Sequence, residues 1–101
     1  MAELSDWLRN QHPGLRTYKA LQQKTAGLAQ SDPEHRALYC LLGQLAGSYV
    51  AHFDEEPLPT EFARVSFEKL VEVVSQAEAS LDADALDQLA ALNRLAAARL
   101  F

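Results

Sequence analysis

An all-α fold is what this sequence predicts, and three observations predict it. Ala and Leu occur 17 times each, Ile is absent, and Val and Thr occur five and three times. β-Branched residues favour strands, so this composition gives a sheet little to build with. No period-two alternation of apolar and polar residues is present, whereas apolar residues recur at three- and four-residue spacings. Helix-breaking or helix-starting residues fall between those stretches, at Pro13-Gly14, Ser31-Asp32-Pro33, Pro57 to Pro59 and Leu81-Asp82. The expected architecture is a compact helical bundle of one domain, residues 1–101. It has four main helices, mostly antiparallel, plus a short N-terminal helix.

The first helix is expected over residues 3–11, with Leu4, Trp7 and Leu8 on its apolar side and Pro13-Gly14 ending it. The second spans 14–29, with Leu15, Tyr18, Leu21, Thr25 and Leu28 on one face and Arg16, Lys19, Gln23 and Gln30 opposite. Asp32 is the expected cap of the third helix, with Pro33 in its first turn and Glu34 complementing the dipole. That helix runs to His52 or Phe53 and buries Leu38, Leu41, Leu42, Leu45, Tyr49 and Phe53. Thr60 is expected to cap the fourth, whose core face is Phe62, Ser66, Leu70, Val73, Val74 and Ala77. Asp82 is expected to cap the fifth, with Leu81 stapled to Leu86 across the cap, and the helix reaches about Arg99. The short break there makes the last two helices an antiparallel hairpin.

Charge and cysteine content narrow the function. Lys plus Arg is 9 and Asp plus Glu is 14, a net charge of −5, which disfavours binding by phosphate neutralisation. Residues 1–30 alone are mildly basic, and a helix, turn and helix there superficially resemble a helix-turn-helix. Arg9 and Pro13, however, fall where that motif packs apolar residues. A single cysteine, Cys40, forms no internal disulfide and points to a reducing, bacterial-type cytoplasm. The N-terminal residues carry Glu3 and Asp6 and do not read as a secretory signal. The charge-free run 37–53 is 17 residues long, contains Gln44, Ser48 and His52, and reads as a core helix rather than a membrane span.

No catalytic, metal-binding or cofactor-binding constellation is expected. His35 and His52 stand roughly 25 Å apart on one helix and cannot share an ion. His52 with Asp54, Glu55 and Glu56 lacks the alternation of a calcium loop. Cys40 lies within an apolar helix and reads as a buried structural thiol.

Three features do stand out. Gly43 and Gly47 lie four apart in mid-helix, with Cys40, Val50 and Ala51 on the same side, a stripe that admits a close neighbour or leaves a groove. Gly47→Leu is expected to overpack that contact. The fifth helix carries a seam of Leu86, Leu89, Asn93, Ala96 and Leu100, with Leu92 and Leu95 forming a second stripe outside it. Asp54, Glu55, Glu56, Glu61, Glu68 and Glu72 are expected to form one acidic patch facing a basic partner.

Because both broad faces of the third helix want cover, the stripe of Cys40, Gly43, Gly47, Val50 and Ala51 is expected to meet either a second subunit, in a homodimer, or a lid made by Trp7. The leading expectation is a small non-catalytic cytoplasmic interaction protein of the adaptor, accessory-subunit, chaperone or anti-regulator type. The rivals are a small-molecule binder or enzyme with a pocket beside Gly43 and Gly47, and a weak DNA-binding regulator acting through residues 1–30.

Overall fold

A computed structural model describes residues 3–54 and 57–101. Five helices follow one another: α1 (Glu3–Arg9), α2 (Leu15–Ser31), α3 (Arg36–Phe53), α4 (Thr60–Ala79) and α5 (Ala85–Ala97). Short 3-10 turns, Pro33–His35 and Ser80–Asp82, precede α3 and follow α4. There is no strand among the described residues, and the protein is an all-α bundle. Its radius of gyration, 13.1 Å, is the value of about 13 Å expected when 100 residues pack compactly.

One core cluster draws Leu4 and Leu8 from α1, Tyr18 and Leu21 from α2, Leu42 and Tyr49 from α3, Leu70 and Val74 from α4, and Leu95 from α5. The most extensive helix pairing is α2 on α3, while α1 packs on α4, and α5 lies against both α3 and α4. Beyond α5 the chain turns extended, and Leu100 is drawn into the core, where Ser66 Oγ donates to its carbonyl oxygen at 3.1 Å. None of the described helices is long and apolar enough to cross a membrane.

The helix ends depart from the sequence reading in an instructive way. Asp32 stands at the N-cap of the 3-10 turn that leads into α3, with Pro33 next, but its side chain makes no capping bond; its backbone closes α2, and its carboxylate is bonded to His35 Nδ1 at 2.7 Å. Pro59, not Thr60, sits at the α4 N-cap, and no side chain caps that end. For α5 the cap is Asp84, whose Oδ1 accepts from the Asp87 N–H at 2.9 Å; Asp82 belongs to the preceding 3-10 turn. That two-residue shift also removes the staple, because Leu86 now points outward at 79 % exposure. Gln88 closes the turn instead, its Nε2 donating to the carbonyls of Leu81 and Ala83. Before α5 two capping residues, Asp82 and Asp84, compete within three positions, and the turn geometry between the helices selects the second.

Candidate functional site

The stripe of small residues on α3 is occupied within the chain. A Cβ built on Gly43 would stand 2.9 Å from Thr25 Oγ1, and one on Gly47 would stand 2.7 Å from Gln22 Nε2. Both contacts come from α2, so it is α2 that covers the glycines, not α1. Trp7 is not their lid: it lies beside Lys24, with the Lys24 Nζ 4.8 Å from the centre of its ring. The rest of the stripe divides, with Val50 half-buried and Cys40 and Ala51 exposed. Cys40 is thus a surface thiol rather than a buried one. The helix phase explains this: Tyr39 and Ala46 turn into the core, carrying position 40 out to solvent. Beside the glycines runs an open groove of about 640 Å³, lined by Gln22, Thr25, Tyr39, Cys40 and Gln44 among others; His35 instead lines a separate small pocket with Leu81, Gln88 and Leu92.

The expected acidic patch is largely paired with neighbouring groups. Arg64 binds both Glu61 and Glu68, and its guanidinium holds the Glu61 carboxyl below its ordinary range. Asp54 stands 3.7 Å from Lys19 Nζ, and Glu72 accepts from Gln76 Nε2 at 3.4 Å. Glu55 and Glu56 lie outside the described residues. These pairs are exposed, and pairs of that kind contribute little to stability. They do reduce the unbalanced charge that the surface offers to a partner.

On α5 the two stripes exchange roles. Leu95 is buried and Leu92 half-buried, so the stripe read as lying outside the seam is the inward one. The seam itself faces outward: Leu86 is 79 % exposed, Leu89 is 54 % exposed, and Asn93 and Ala96 are exposed. Leu100 leaves the seam altogether because α5 ends at Ala97. Two overlapping leucine stripes on one short helix give nearly equal hydrophobic patterns, and only the direction of approach of α3 and α4 distinguishes them.

A cleft that the sequence did not reveal lies where α1 crosses α2, α3 and α4. Its volume is about 470 Å³, and Glu3, Trp7, Lys24, Gly27, Tyr39 and Glu78 are among its walls. Glu78 is 7 % exposed, and its two carboxylate oxygens accept the backbone N–H groups of Leu4 and Ser5 at 2.8 and 2.7 Å. One carboxylate on α4 thereby holds the first turn of α1, where unpaired N–H groups and the dipole favour negative charge. Tyr39, 6 % exposed, also lines the cleft, and its hydroxyl makes no hydrogen bond among the described residues. Burial, reinforced by the carboxylates of Asp32, Glu78 and Glu3, pushes its pKa up, so the hydroxyl stays protonated at neutral pH. A weak signal for Glu78 existed in the sequence. It follows Leu70, Val74 and Ala77 at i+8, the register of the buried stripe, where an acid must find a partner.

The ionisable clusters otherwise stay small. Asp32, Glu34 and His35 bring one donor atom each within 4.8 Å of one another on the 3-10 turn. His52 does not group with them; its ring stacks on Phe101 with centroids 4.6 Å apart. No family model, no curated protein and no solved structure matches this chain.

Proposed function

We propose that this chain is a cytoplasmic, non-catalytic interaction protein that docks a partner helix on the outer face of α5. The observation that carries this reading is the pair Leu86 and Leu89, 79 % and 54 % exposed on one helix face with no covering element among the described residues. Large aliphatic side chains left this open are costly to solvate and gain most from a partner. The carboxylates of Asp82, Asp84 and Asp87, all on exposed residues, border the first turn of the same helix. An amphipathic helix with leucine-type anchors and Lys or Arg flanks is the partner chemistry that complements such a face. The acidic residues on α4 are a poorer docking surface, because Arg64 already neutralises Glu61 and Glu68.

The test is affinity capture from the native host with the wild type and with a Leu86→Glu, Leu89→Glu double variant. A stoichiometric partner retained by the wild type, lost by the variant and weakened by salt supports the reading. Both leucines are exposed, so the melting temperature of the variant should match the wild type. A partner held equally by both proteins overturns it. A second copy of the chain is the competing occupant. Light scattering at micromolar concentration distinguishes the two, since a wild-type mass of 11.2 kDa excludes the homodimer.

A further inference from the structure

The cleft between α1 and α2 is independent of the α5 face and shares no residue with it. Three of its features point to a ligand rather than to an accident of packing. First, its volume of about 470 Å³ falls in the range of small-ligand sites, about 300–1,000 Å³. Gly27 keeps it open: a Cβ built there meets nothing within 4 Å. Second, Tyr39 lines the cleft with a largely buried ring and a solvent-accessible hydroxyl that makes no hydrogen bond among the described residues. That hydroxyl is free to bond a polar group that enters the cleft. Third, the cleft already shows which charge it accepts. The ammonium of Lys24 lies over the Trp7 ring, 4.8 Å from its centre, and Glu3 and Glu78 line the same cleft.

We infer that this cleft binds an organic cation, an alkylammonium or guanidinium group, which takes the place of Lys24 on the Trp7 face. The ring quadrupole attracts a cation at that face, and the attraction grows as the site loses water. Glu3 and Glu78 supply acceptors. Each Glu78 oxygen accepts one backbone N–H and keeps lone-pair capacity, since an ionised carboxylate accepts about four bonds. The Tyr39 hydroxyl offers a further acceptor. Lys24 is a tethered competitor on an exposed, flexible stem, so it lowers affinity without closing the site. The cation has two sources of the same chemistry: a free amine, or the basic side chain of a peptide.

Trp7 is the only tryptophan, so its fluorescence reads the site directly. The experiment titrates the full chain at fixed ionic strength with N-acetylargininamide, 1,4-diaminobutane and, as anionic control, N-acetylglutamate. Saturable quenching by a cation below ~10 mM, absent with the anion, is expected. Response to the argininamide alone identifies a peptide side chain as the source, and response to the diamine identifies a free amine. Lys24→Met should tighten binding about threefold by removing the tethered competitor. Gly27→Leu, which fills the cleft from an exposed helix position, should abolish it. No saturation by either cation in both the wild type and Lys24→Met overturns the inference. So does equal quenching by N-acetylglutamate, or Lys24→Met binding more weakly than the wild type.

Discussion

Two helix pairs in this bundle are joined by opposite means. α2 meets α3 through shape: Gly43 and Gly47 let the backbones close in, and Tyr18 of α2 stacks on Tyr49 of α3 with ring centroids 4.1 Å apart and planes 9° from parallel. That seam leaves polar groups unpaired, because both tyrosines are fully buried and neither hydroxyl finds a hydrogen bond among the described residues. α1 meets α4 through charge: Glu78 reaches across and satisfies two backbone N–H groups. A long seam buries enough apolar surface to carry two orphan hydroxyls, each a penalty of about 1–3 kcal/mol. A seven-residue helix has less apolar surface to offer, chiefly Leu4 and Leu8, so the two bonds to Glu78 carry a larger share of its attachment.

The largest expected effect breaks the charged contact. Glu78→Ala leaves the N–H groups of Leu4 and Ser5 without the carboxylate that accepts them, in a region where those residues are 5 % and 1 % exposed. A loss of about 3 kcal/mol is expected. For a chain of this size that lowers the melting temperature by more than 10 °C, roughly 4–8 °C per kcal/mol. Glu78→Gln keeps one acceptor oxygen and should lose about half as much. Thermal unfolding of the two variants checks both the size and the order. Equal losses would mean that Glu78 acts by packing rather than by accepting hydrogen bonds.

How much of this was legible in the sequence depends on which kind of contact is asked about. The helices and most of their buried faces follow from the periodicity of Leu, Tyr and Ala, since a stripe repeated over several turns averages out single errors. Leu38, Leu42 and Tyr49 were readable on α3, and Ser66, Leu70, Val74 and Ala77 on α4. Phe62, grouped with that α4 core face, instead stands at the surface at 36 % exposure. The close approach at Gly43 and Gly47 was readable as a stripe of small residues, but its partner was not. Pairing of helices is set by the three-dimensional path of the chain, which leaves no periodic trace. Glu78 and the cleft were hidden for the same reason, because Leu4 and Glu78 meet across 74 positions of sequence. On α5 the pattern was ambiguous rather than silent: Leu86 and Leu89 read as core as well as Leu92 and Leu95 do.

Next in size is a contrast within the α2–α3 seam. The hydroxyl facing Gly43 belongs to Thr25, which is 1 % exposed and pinned by donation to the carbonyls of Leu21 and Gln22. It cannot retreat, so Gly43→Ala should destabilise by about 1–2 kcal/mol despite the better helix propensity of alanine. The group facing Gly47 is the amide end of the long Gln22 side chain, which can swing aside. Gly47→Ala should therefore be neutral or stabilising by up to about 1 kcal/mol. The sequence alone marked Gly47 as the position to overpack; the structure moves the stricter constraint to Gly43. Chemical denaturation of both variants measures the difference, and Gly47→Ala being the more harmful would show that α2 sits differently on α3.

The tyrosine stack offers a smaller change of opposite sign. Tyr49→Phe keeps the ring and removes one buried hydroxyl that has no partner among the described residues. A stabilisation of about 1 kcal/mol is expected, because the variant no longer carries that group's desolvation penalty. A destabilisation of similar size would mean that the hydroxyl holds a bond in solution.

The smallest effect at neutral pH becomes visible only in alkali, and it sharpens the comparison by reading the seam through its protons. Burial raises the Tyr18 pKa far above its ordinary value of 10, the nearby Tyr49 adding to the shift, and the Tyr39 pKa is raised as well. A tyrosine is neutral when protonated, so at high pH the folded chain holds protons that the unfolded chain has released. Stability is then complete below about pH 10 and falls as the pH rises beyond it, by about 1.4 kcal/mol per pH unit for each tyrosine held protonated. Tyr18→Phe removes one of these protons. Its denaturation midpoint should match or slightly exceed the wild type at pH 7, and its decline between pH 10 and 11.5 should be shallower by about one proton's slope. Glu78→Ala, by contrast, should be displaced downward at every pH and keep most of the wild-type slope over that interval, because Tyr18 stays buried and only the lesser Glu78 contribution to the Tyr39 shift is lost. Two parallel alkaline limbs for Tyr18→Phe and the wild type would show that the stacked tyrosines are open to solvent, and the α2–α3 seam would no longer be the dry, shape-held contact described above.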